Sequence, residues 1–154
     1  MTRAAIGIGS NEGDAASHVT GAFDRLGRLG TVVARSPLYR TDPWGVTDQP
    51  PFVNAAALVE TQLAPRALLG ALQQIEREAG RVPTYRWGPR VLDLDILAYG
   101  DERIDEPDLT IPHARLSERA FALVPLAEID PRFTAQRDAL PPGERAAVVE
   151  LAPQ

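Results

Sequence analysis

Residues 52–60 read Phe-Val-Asn-Ala-Ala-Ala-Leu-Val-Glu, and apolar side chains occupy both of the alternating sets in this segment. Successive side chains of a β-strand point to opposite faces of the sheet. One face would therefore carry Val53, Ala55, Ala57 and Val59, and the other Phe52, Asn54, Ala56 and Leu58. We expect a strand here, with Phe52 and Asn54 pointing the same way.

Helices and strands alternate outward from this segment in both directions. Upstream, the pattern predicts a strand at 4–9, a helix ending at Gly30, and an extended segment at 31–41. That helix carries the stripe Val19, Phe23, Leu26 and Leu29. Downstream, a helix at 64–79 starts with Pro65 in its first turn and is followed by a strand at 91–99. The apolar stripe of the second helix is Leu68, Leu72, Ile75 and Ala79.

The strand at 91–99 divides its side chains between two faces. Leu92, Leu94, Ile96 and Ala98 fall on one, and Asp93, Asp95 and Leu97 on the other. Further on we expect a hairpin at 104–111, a helix at 118–127 and a loosely ordered Pro-rich tail from about residue 140.

The order strand, helix, strand, strand, helix, strand predicts an α+β fold, a ferredoxin-like antiparallel plait. Residues 1–154 would form a single domain, because no linker divides the chain. We expect the helices to cover one face of the sheet and to leave the other face open to a ligand.

The composition excludes several classes of function. The absence of cysteine rules out a disulfide framework, a thiolate zinc site and a cysteine nucleophile. All 16 basic residues are arginine, which excludes a lysine Schiff base, and the net charge of −5 argues against a nucleic-acid partner. No apolar run approaches the length of a membrane span, so we expect no membrane partner and a cytoplasmic location.

Asp93 and Asp95 are the strongest candidates for a metal site. Two residues apart on a strand, their carboxylates would project from the same face about 7 Å apart. Two carboxylates without cysteine or a histidine cluster suit Mg²⁺, which completes its shell with water and substrate phosphate. The alternative is a pair of exposed acids on a half-buried strand.

Arginines flank the acid pair on both sides, at Arg81, Arg86, Arg90, Arg115 and Arg119. Guanidinium groups match phosphate oxygens bidentately, so acids with arginines favour a site for a metal–polyphosphate ligand. Simple neutralisation of the acids is the alternative. Gly7 and Gly9, which precede Ser10-Asn11, resemble part of a phosphate-binding loop. This signal is weak, because the full spacing of a glycine-rich loop is missing.

Three further features each allow a functional and a structural interpretation. Phe52 beside Asn54 offers a ring face and a polar amide to a flat heterocycle, or else is a sheet residue under a helix. Trp87, in a Gly- and Pro-flanked loop, is a ligand lid or a cap on the core. His113, which follows Pro112, is a ligand residue or a surface loop residue.

One long motif resembles a known family. Arg-Trp-Gly-Pro-Arg-Val-Leu-Asp-Leu-Asp-Ile at 86–96, with Ile-Gly-Ser-Asn at 8–11 and Ile-Pro-His at 111–113, is similar to the 6-hydroxymethyl-7,8-dihydropterin pyrophosphokinases of folate biosynthesis. The similarity runs from about residue 3 to residue 133. It implies transfer of a pyrophosphoryl group from ATP to the pterin hydroxymethyl group, with release of AMP, on a ferredoxin-like fold.

The resemblance also implies roles for individual residues. Two Mg²⁺ ions would be held by Asp93 and Asp95. ATP would be bound by Gln73, Arg81, Arg90, Thr110, His113 and Arg119. The pterin would be bound by Thr41, Pro43, Trp44, Gly45, Phe52, Asn54, Asp95 and Phe121. The catalytic set would be Arg81, Arg90, Asp95 and His113, with Trp87 in a lid over both substrates. We expect a monomer whose partners are these two small molecules.

Two other functions remain as alternatives at this point. A two-metal nucleotidyltransferase also uses a Gly-Ser pair and paired acids, but its product would be inorganic pyrophosphate instead of AMP. A regulatory plait domain that only binds a nucleotide would need neither acid, because the fold alone does not specify function. An RNA-binding plait is disfavoured, since no basic, aromatic-rich strand is present.

Overall fold

The computed structural model describes residues 1–42, 49–80 and 91–152. The strands are β1 (Thr2–Ser10), β2 (Thr31–Arg35), β3 (Tyr39–Thr41), β4 (Phe52–Thr61), β5 (Asp93–Tyr99), β6 (Ile104–Glu106), β7 (Leu109–Ile111) and β8 (Val149–Glu150). The helices are α1 (Ala15–Leu26), α2 (Pro65–Glu78), α3 (Ala120–Ile129), α4 (Thr134–Asp138) and α5 (Pro142–Ala146).

The main sheet is antiparallel, with β1 between β4 and β5. The strand order is β5-β1-β4-β3-β8, and β2 pairs with β4 beyond the end of β3. β6 and β7 form a separate hairpin, as the sequence predicts. The predicted α+β plait is therefore confirmed.

One face of the sheet is covered by α1 and α2. Val19, Phe23 and Leu26 of α1 join Leu68, Leu72 and Ile75 of α2 in one buried cluster. Their partners from the sheet include Ala55, Ala57 and Val59. Both apolar stripes and this face of β4 are as predicted.

The second face is not left open along its whole length, which corrects the expectation from the sequence. Leu123 and Leu126 of α3 pack against Ala56, Leu58 and Leu97 in a second buried cluster. The physical reason is that β4 is apolar on both faces, and an apolar strand face requires cover. Among the described residues, α3 leaves one part of this face uncovered.

A β-bulge in β5 changes one predicted position. Ala5 of β1 pairs with Ala98 while Ile6 pairs with Ile96, so Leu97 is the extra residue. Ala98 consequently lies with Leu97 in the cluster under α3, whereas Leu92, Leu94 and Ile96 face α2 as predicted. Asp93 and Asp95 precede the bulge, and their shared face is unaffected.

Two boundaries near α1 also differ from the predictions. The helix ends at Leu26 with Gly27 as its C-cap, and Gly30 is needed instead for a close approach to β4. A Cβ at Gly30 would overlap the carbonyl oxygen of Glu60. The extended segment at 31–41 is divided into β2 and β3 at Pro37, which has no N–H to donate to a ladder.

The last third of the chain is more regular than expected. Glu118 belongs to a 3₁₀ turn, and α3 begins two residues later, at Ala120. Where the sequence predicts a loosely ordered end, the structure places α5 and β8. Pro142 lies in the first turn of α5, where its missing N–H costs nothing, and the N–H of Leu151 donates to the carbonyl oxygen of Leu38. In the described part of the chain, no helix has both the length and the apolar character to cross a membrane.

Candidate active site

A cavity of about 310 Å³ opens on the part of the second face that α3 leaves uncovered. It is bounded by β1, β4, β5 and the N-terminal end of α3. The predicted site residues that line it are Thr41, Phe52, Asn54, Asp93, Asp95, His113, Arg119 and Phe121. The fold thus brings together the acids, the phosphate-binding candidates and the aromatic residues that the sequence analysis singled out.

The floor of the cavity is formed by two glycines of β1. Gly9 pairs with Asp93 and Gly7 with Asp95, so each glycine lies beside one acid. A Cβ on Gly9 would come 3.1 Å from Asn54 Oδ1, and one on Gly7 would come 3.3 Å from the Leu97 side chain. These glycines belong to a strand and not to a phosphate-binding loop; their small size keeps the floor open.

The donor set around Asp93 and Asp95 fits a hard cation. Both acids are half-buried and face the cavity from β5. Among the described residues, no group of three or more acidic or histidine side chains is close enough to hold a metal ion. Two carboxylates beside an open cavity leave the other coordination positions to water and ligand oxygens, which is how proteins usually bind Mg²⁺.

A third acid contacts the same segment from the opposite side. Glu76 of α2 is only 7% exposed, and its Oε2 accepts a hydrogen bond of 2.8 Å from the backbone N–H of Leu94. Glu76 is not among the site residues predicted from the sequence, although a signal exists. Glu76 follows Leu72 by four residues and Leu68 by eight, which places an acid on the buried stripe of the helix.

His113 is held at the cavity edge by two backbone contacts. The backbone N–H of His113 donates to the carbonyl oxygen of Leu97 over 3.0 Å, and the ring Nδ1 accepts from the backbone N–H of Arg115 over 3.3 Å. Burial lowers the pKa of the ring, assisted by the nearby Arg119, while Asp93 acts in the opposite direction. In the neutral ring, Nδ1 is an acceptor, so the proton resides on Nε2.

Arg119 lies just before α3 and lines the cavity. Burial lowers the pKa of its guanidinium, and the charge of Asp95 opposes that effect. An arginine remains protonated throughout the physiological range, so a positive charge stands in the same cavity as the acids. Its guanidinium carbon lies 5.6 Å from the ring centre of Phe121, within the range of a cation–π contact.

The amide of Asn54 is oriented by Thr41. Asn54 is 5% exposed, and its Nδ2 donates a 2.7 Å hydrogen bond to Thr41 Oγ1. The amide oxygen therefore lies on the other side, near Gly9, where a ligand donor could reach it. Phe52 precedes this amide by two residues on the same strand face, as predicted.

Several predicted site residues are not placed in the cavity by the structure. Gln73 is exposed on α2 and Thr110 is half-buried in β7, and neither lines the cavity. Six others lie outside the described residues, namely Pro43, Trp44, Gly45, Arg81, Trp87 and Arg90. The roles assigned to these eight residues stay predictions.

Comparison with known proteins points to one family. The model of the 7,8-dihydro-6-hydroxymethylpterin-pyrophosphokinase family matches residues 5–131. The 2-amino-4-hydroxy-6-hydroxymethyldihydropteridine pyrophosphokinase of Methylorubrum extorquens is 51% identical over 133 residues, which are 85% of this chain and 84% of that protein. The protein of the same name from Pseudomonas aeruginosa is 49% identical over 133 residues, covering 85% of this chain and 82% of its own length.

The fold is also similar to a solved structure. A crystal structure of Plasmodium falciparum HPPK-DHPS superposes with a TM-score of 0.67 at 15% identity. The match covers 90% of this chain and 43% of that longer chain, and at this identity it supports the fold alone. The family match and the two bacterial relatives carry the stronger conclusion: the chain belongs to the 7,8-dihydro-6-hydroxymethylpterin-pyrophosphokinase family.

Proposed function

We propose that this protein transfers the pyrophosphoryl group of ATP to the hydroxymethyl group of 6-hydroxymethyl-7,8-dihydropterin, giving the pterin diphosphate and AMP, in folate biosynthesis. The observation that carries the proposal is a single cavity lined by an acid pair, an arginine, two phenylalanines and a buried asparagine. Family membership supports the same reaction.

The pterin half of the cavity would be built from β4 and α3. Phe52 and Phe121 offer ring faces for stacking on a flat heterocycle, and stacking of this kind contributes about 1–3 kcal/mol per base. The oxygen of Asn54 would accept a hydrogen bond from a pterin N–H, because its amide nitrogen is engaged by Thr41. The open floor at Gly9 would admit the plane of the ring.

The phosphate half would be built from β5 and the segment between β7 and α3. Asp93 and Asp95 would hold two Mg²⁺ ions, and Mg²⁺ there would neutralise charge on the triphosphate. Arg119 would bind phosphate oxygens through its guanidinium group, and His113 would donate a hydrogen bond from Nε2 to a phosphate oxygen. Arg81 and Arg90 are proposed for the same role on the strength of the family resemblance.

The reaction would be an in-line displacement at the β-phosphorus of ATP. A bond forms between the pterin hydroxymethyl oxygen and this phosphorus, the bond from this phosphorus to the bridging oxygen breaks with AMP as the leaving group, and the hydroxyl proton passes to solvent. Such a transfer depends chiefly on positioning and on stabilisation of developing charge. The acids, His113 and the arginines would supply both, without a strong general base.

The decisive experiment is product analysis with ATP, Mg²⁺ and the reduced pterin alcohol. We expect AMP and pterin diphosphate in equal amounts. Inorganic pyrophosphate as a product would instead support a nucleotidyltransferase, and absence of turnover would support a nucleotide-binding regulatory domain. We further propose that the enzyme is a cytoplasmic monomer, which sedimentation and cell fractionation would test.

A further inference from the structure

Glu76 occupies a position where its helix otherwise carries apolar side chains. It lies on the face of α2 that buries Leu68, Leu72 and Ile75 against the sheet, and the residue is 7% exposed. A buried carboxylate is costly unless hydrogen bonds compensate it. Its retention on this stripe therefore requires a specific partner.

One such partner is the N–H of the peptide group between the two acids of the cavity. Glu76 Oε2 accepts the backbone N–H of Leu94 over 2.8 Å, and Leu94 lies between Asp93 and Asp95 in sequence. Among the described strands, β5 is at the edge of the main sheet, with β1 as its only neighbour there. The N–H of Leu94 points away from β1, where the carboxylate replaces a neighbouring strand.

A second contact fixes the same outer edge further along. The carbonyl oxygen of Leu97 accepts the N–H of His113 over 3.0 Å. Asp95 lies between these two fixed points and Asp93 directly beside the first. Glu76 of α2 and His113 thus hold the strand segment that carries both aspartates at two points of its outer edge.

We propose that Glu76 is a positioning residue for the acid pair: by holding the Leu94 N–H, it sets the separation and direction of the Asp93 and Asp95 carboxylates and thereby the affinity of the site for divalent cation. This inference rests on the proposed metal role of those two acids. A carboxyl group suits the task because its oxygen accepts a strong hydrogen bond from a backbone N–H. Residues that orient metal ligands from behind typically alter metal affinity 10- to 100-fold when replaced.

The test compares three variants of the full chain. Glu76→Leu fills the apolar stripe but removes the acceptor, and Glu76→Gln keeps an uncharged acceptor. Glu78→Gln is the matched control, because it makes the same type of substitution two residues further along α2. The Glu78 side chain is exposed and pairs with Arg28. For each protein, the first measurement is hydrogen exchange of the Leu94 amide without ligands. The second is Mn²⁺ binding in the presence of an unreactive ATP analogue, and the third is the Mg²⁺ dependence of turnover.

We expect Glu76→Leu to lose protection of the Leu94 amide and to weaken Mn²⁺ binding by about 10-fold or more, with Glu76→Gln in between and Glu78→Gln unchanged. An unchanged Mn²⁺ affinity in Glu76→Leu would overturn the proposal. Should that variant not fold, an unchanged affinity and unchanged protection in Glu76→Gln would overturn it as well. Asp95→Asn distinguishes failure of the positioning role of Glu76 from failure of the proposed metal role of the acid pair. If this variant binds Mn²⁺ like the parent protein, the proposed metal role itself fails.

Discussion

At the scale of single residues, Asp95 is the side chain on which the proposed chemistry depends most. We expect Asp95→Asn to keep the fold and to lose most of its turnover. Loss of one carboxylate would weaken Mg²⁺ binding, and the phosphate charge would then be under-neutralised. Turnover at saturating Mg²⁺ and the thermal melting temperature would be measured together. Asp105→Asn is the control, because Asp105 is an exposed acid on β6. Turnover close to that of the parent would contradict the assignment.

Phe52 separates binding of the two substrates. We expect Phe52→Ala to weaken binding of the pterin by about 1–3 kcal/mol and to leave binding of ATP nearly unchanged, because only the flat ring would stack on it. Calorimetric titration with each ligand checks this, and Phe52→Leu, which keeps the apolar volume without the ring, is the companion variant. An equal loss for both ligands would show that Phe52 is a structural residue.

The residue types of the site are largely predictable from the sequence, whereas the hydrogen bonds that orient these residues are not. A period of two is sufficient to place Asp93 beside Asp95 and Phe52 beside Asn54. The Thr41 contact that orients the Asn54 amide depends on the register of β3 against β4, which the local pattern does not specify. Glu76 shows the reverse case. Its helical spacing marks it as buried, yet its partner on β5 is fixed only by tertiary packing.

At the scale of elements, a glycine within a helix and a glycine next to a strand differ in the space available for a Cβ atom. Gly70 lies exposed in the middle of α2, and a Cβ there would meet none of the described residues within 4 Å. We therefore expect Gly70→Ala to stabilise the protein by about 0.5–1 kcal/mol, through lower backbone entropy in the unfolded chain. Urea unfolding measures this, and a destabilisation would contradict the described geometry of the helix.

Gly30 provides the opposite prediction in the same assay. Its Cβ would overlap the Glu60 carbonyl oxygen, so Gly30→Ala has to displace either β4 or the turn after α1. We expect a destabilisation of about 1–3 kcal/mol, the usual cost of overpacking a close contact. A neutral substitution would mean that this approach relaxes freely.

The β5 bulge illustrates why faces within an element are only partly predictable. A strict alternation assigns Ala98 to the face of Leu94 and Ile96, but the extra residue at Leu97 inverts every position after it. Bulges depend on the pairing strand, and the sequence of β5 alone contains no sign of it. The acids precede the bulge, which is why their predicted common face is correct.

At the scale of the whole molecule, the position of the cavity follows from incomplete coverage of the second sheet face. The order of strands and helices predicts the plait, and the apolar alternation of β4 indicates that both of its faces are buried. The position of α3 on the second face is not predictable from the local pattern, because helix-to-sheet docking depends on long-range contacts. The cavity consequently lies on the part of this face beside α3.

The end of α3 provides a prediction for the pH dependence of stability. Asp130 is 5% exposed and accepts hydrogen bonds from the backbone N–H, Nε and Nη2 of Arg132, whose side chain also approaches Asp101. Burial alone would raise the pKa of Asp130, but the bonds from Arg132 more than offset it, and the pKa is lowered from 3.8. A lowered pKa in the folded state means that the unfolded chain binds the proton first as the pH falls.

The contribution of this pair is therefore fully present above about pH 4–5 and disappears as the pH falls through the lower, folded-state pKa. We expect Asp130→Asn to cost about 1 kcal/mol at pH 7, a modest value because the Arg132 side chain is 46% exposed and screened by solvent. The difference in unfolding free energy between parent and variant should shrink as the pH falls below about 4 and should vanish below the folded-state pKa. Urea unfolding at pH 7, 5 and 3 measures it, with Asp138→Asn as an exposed control near Arg137. A difference that stays constant from pH 7 to pH 3 would show that Asp130 acts through packing and not through its charge.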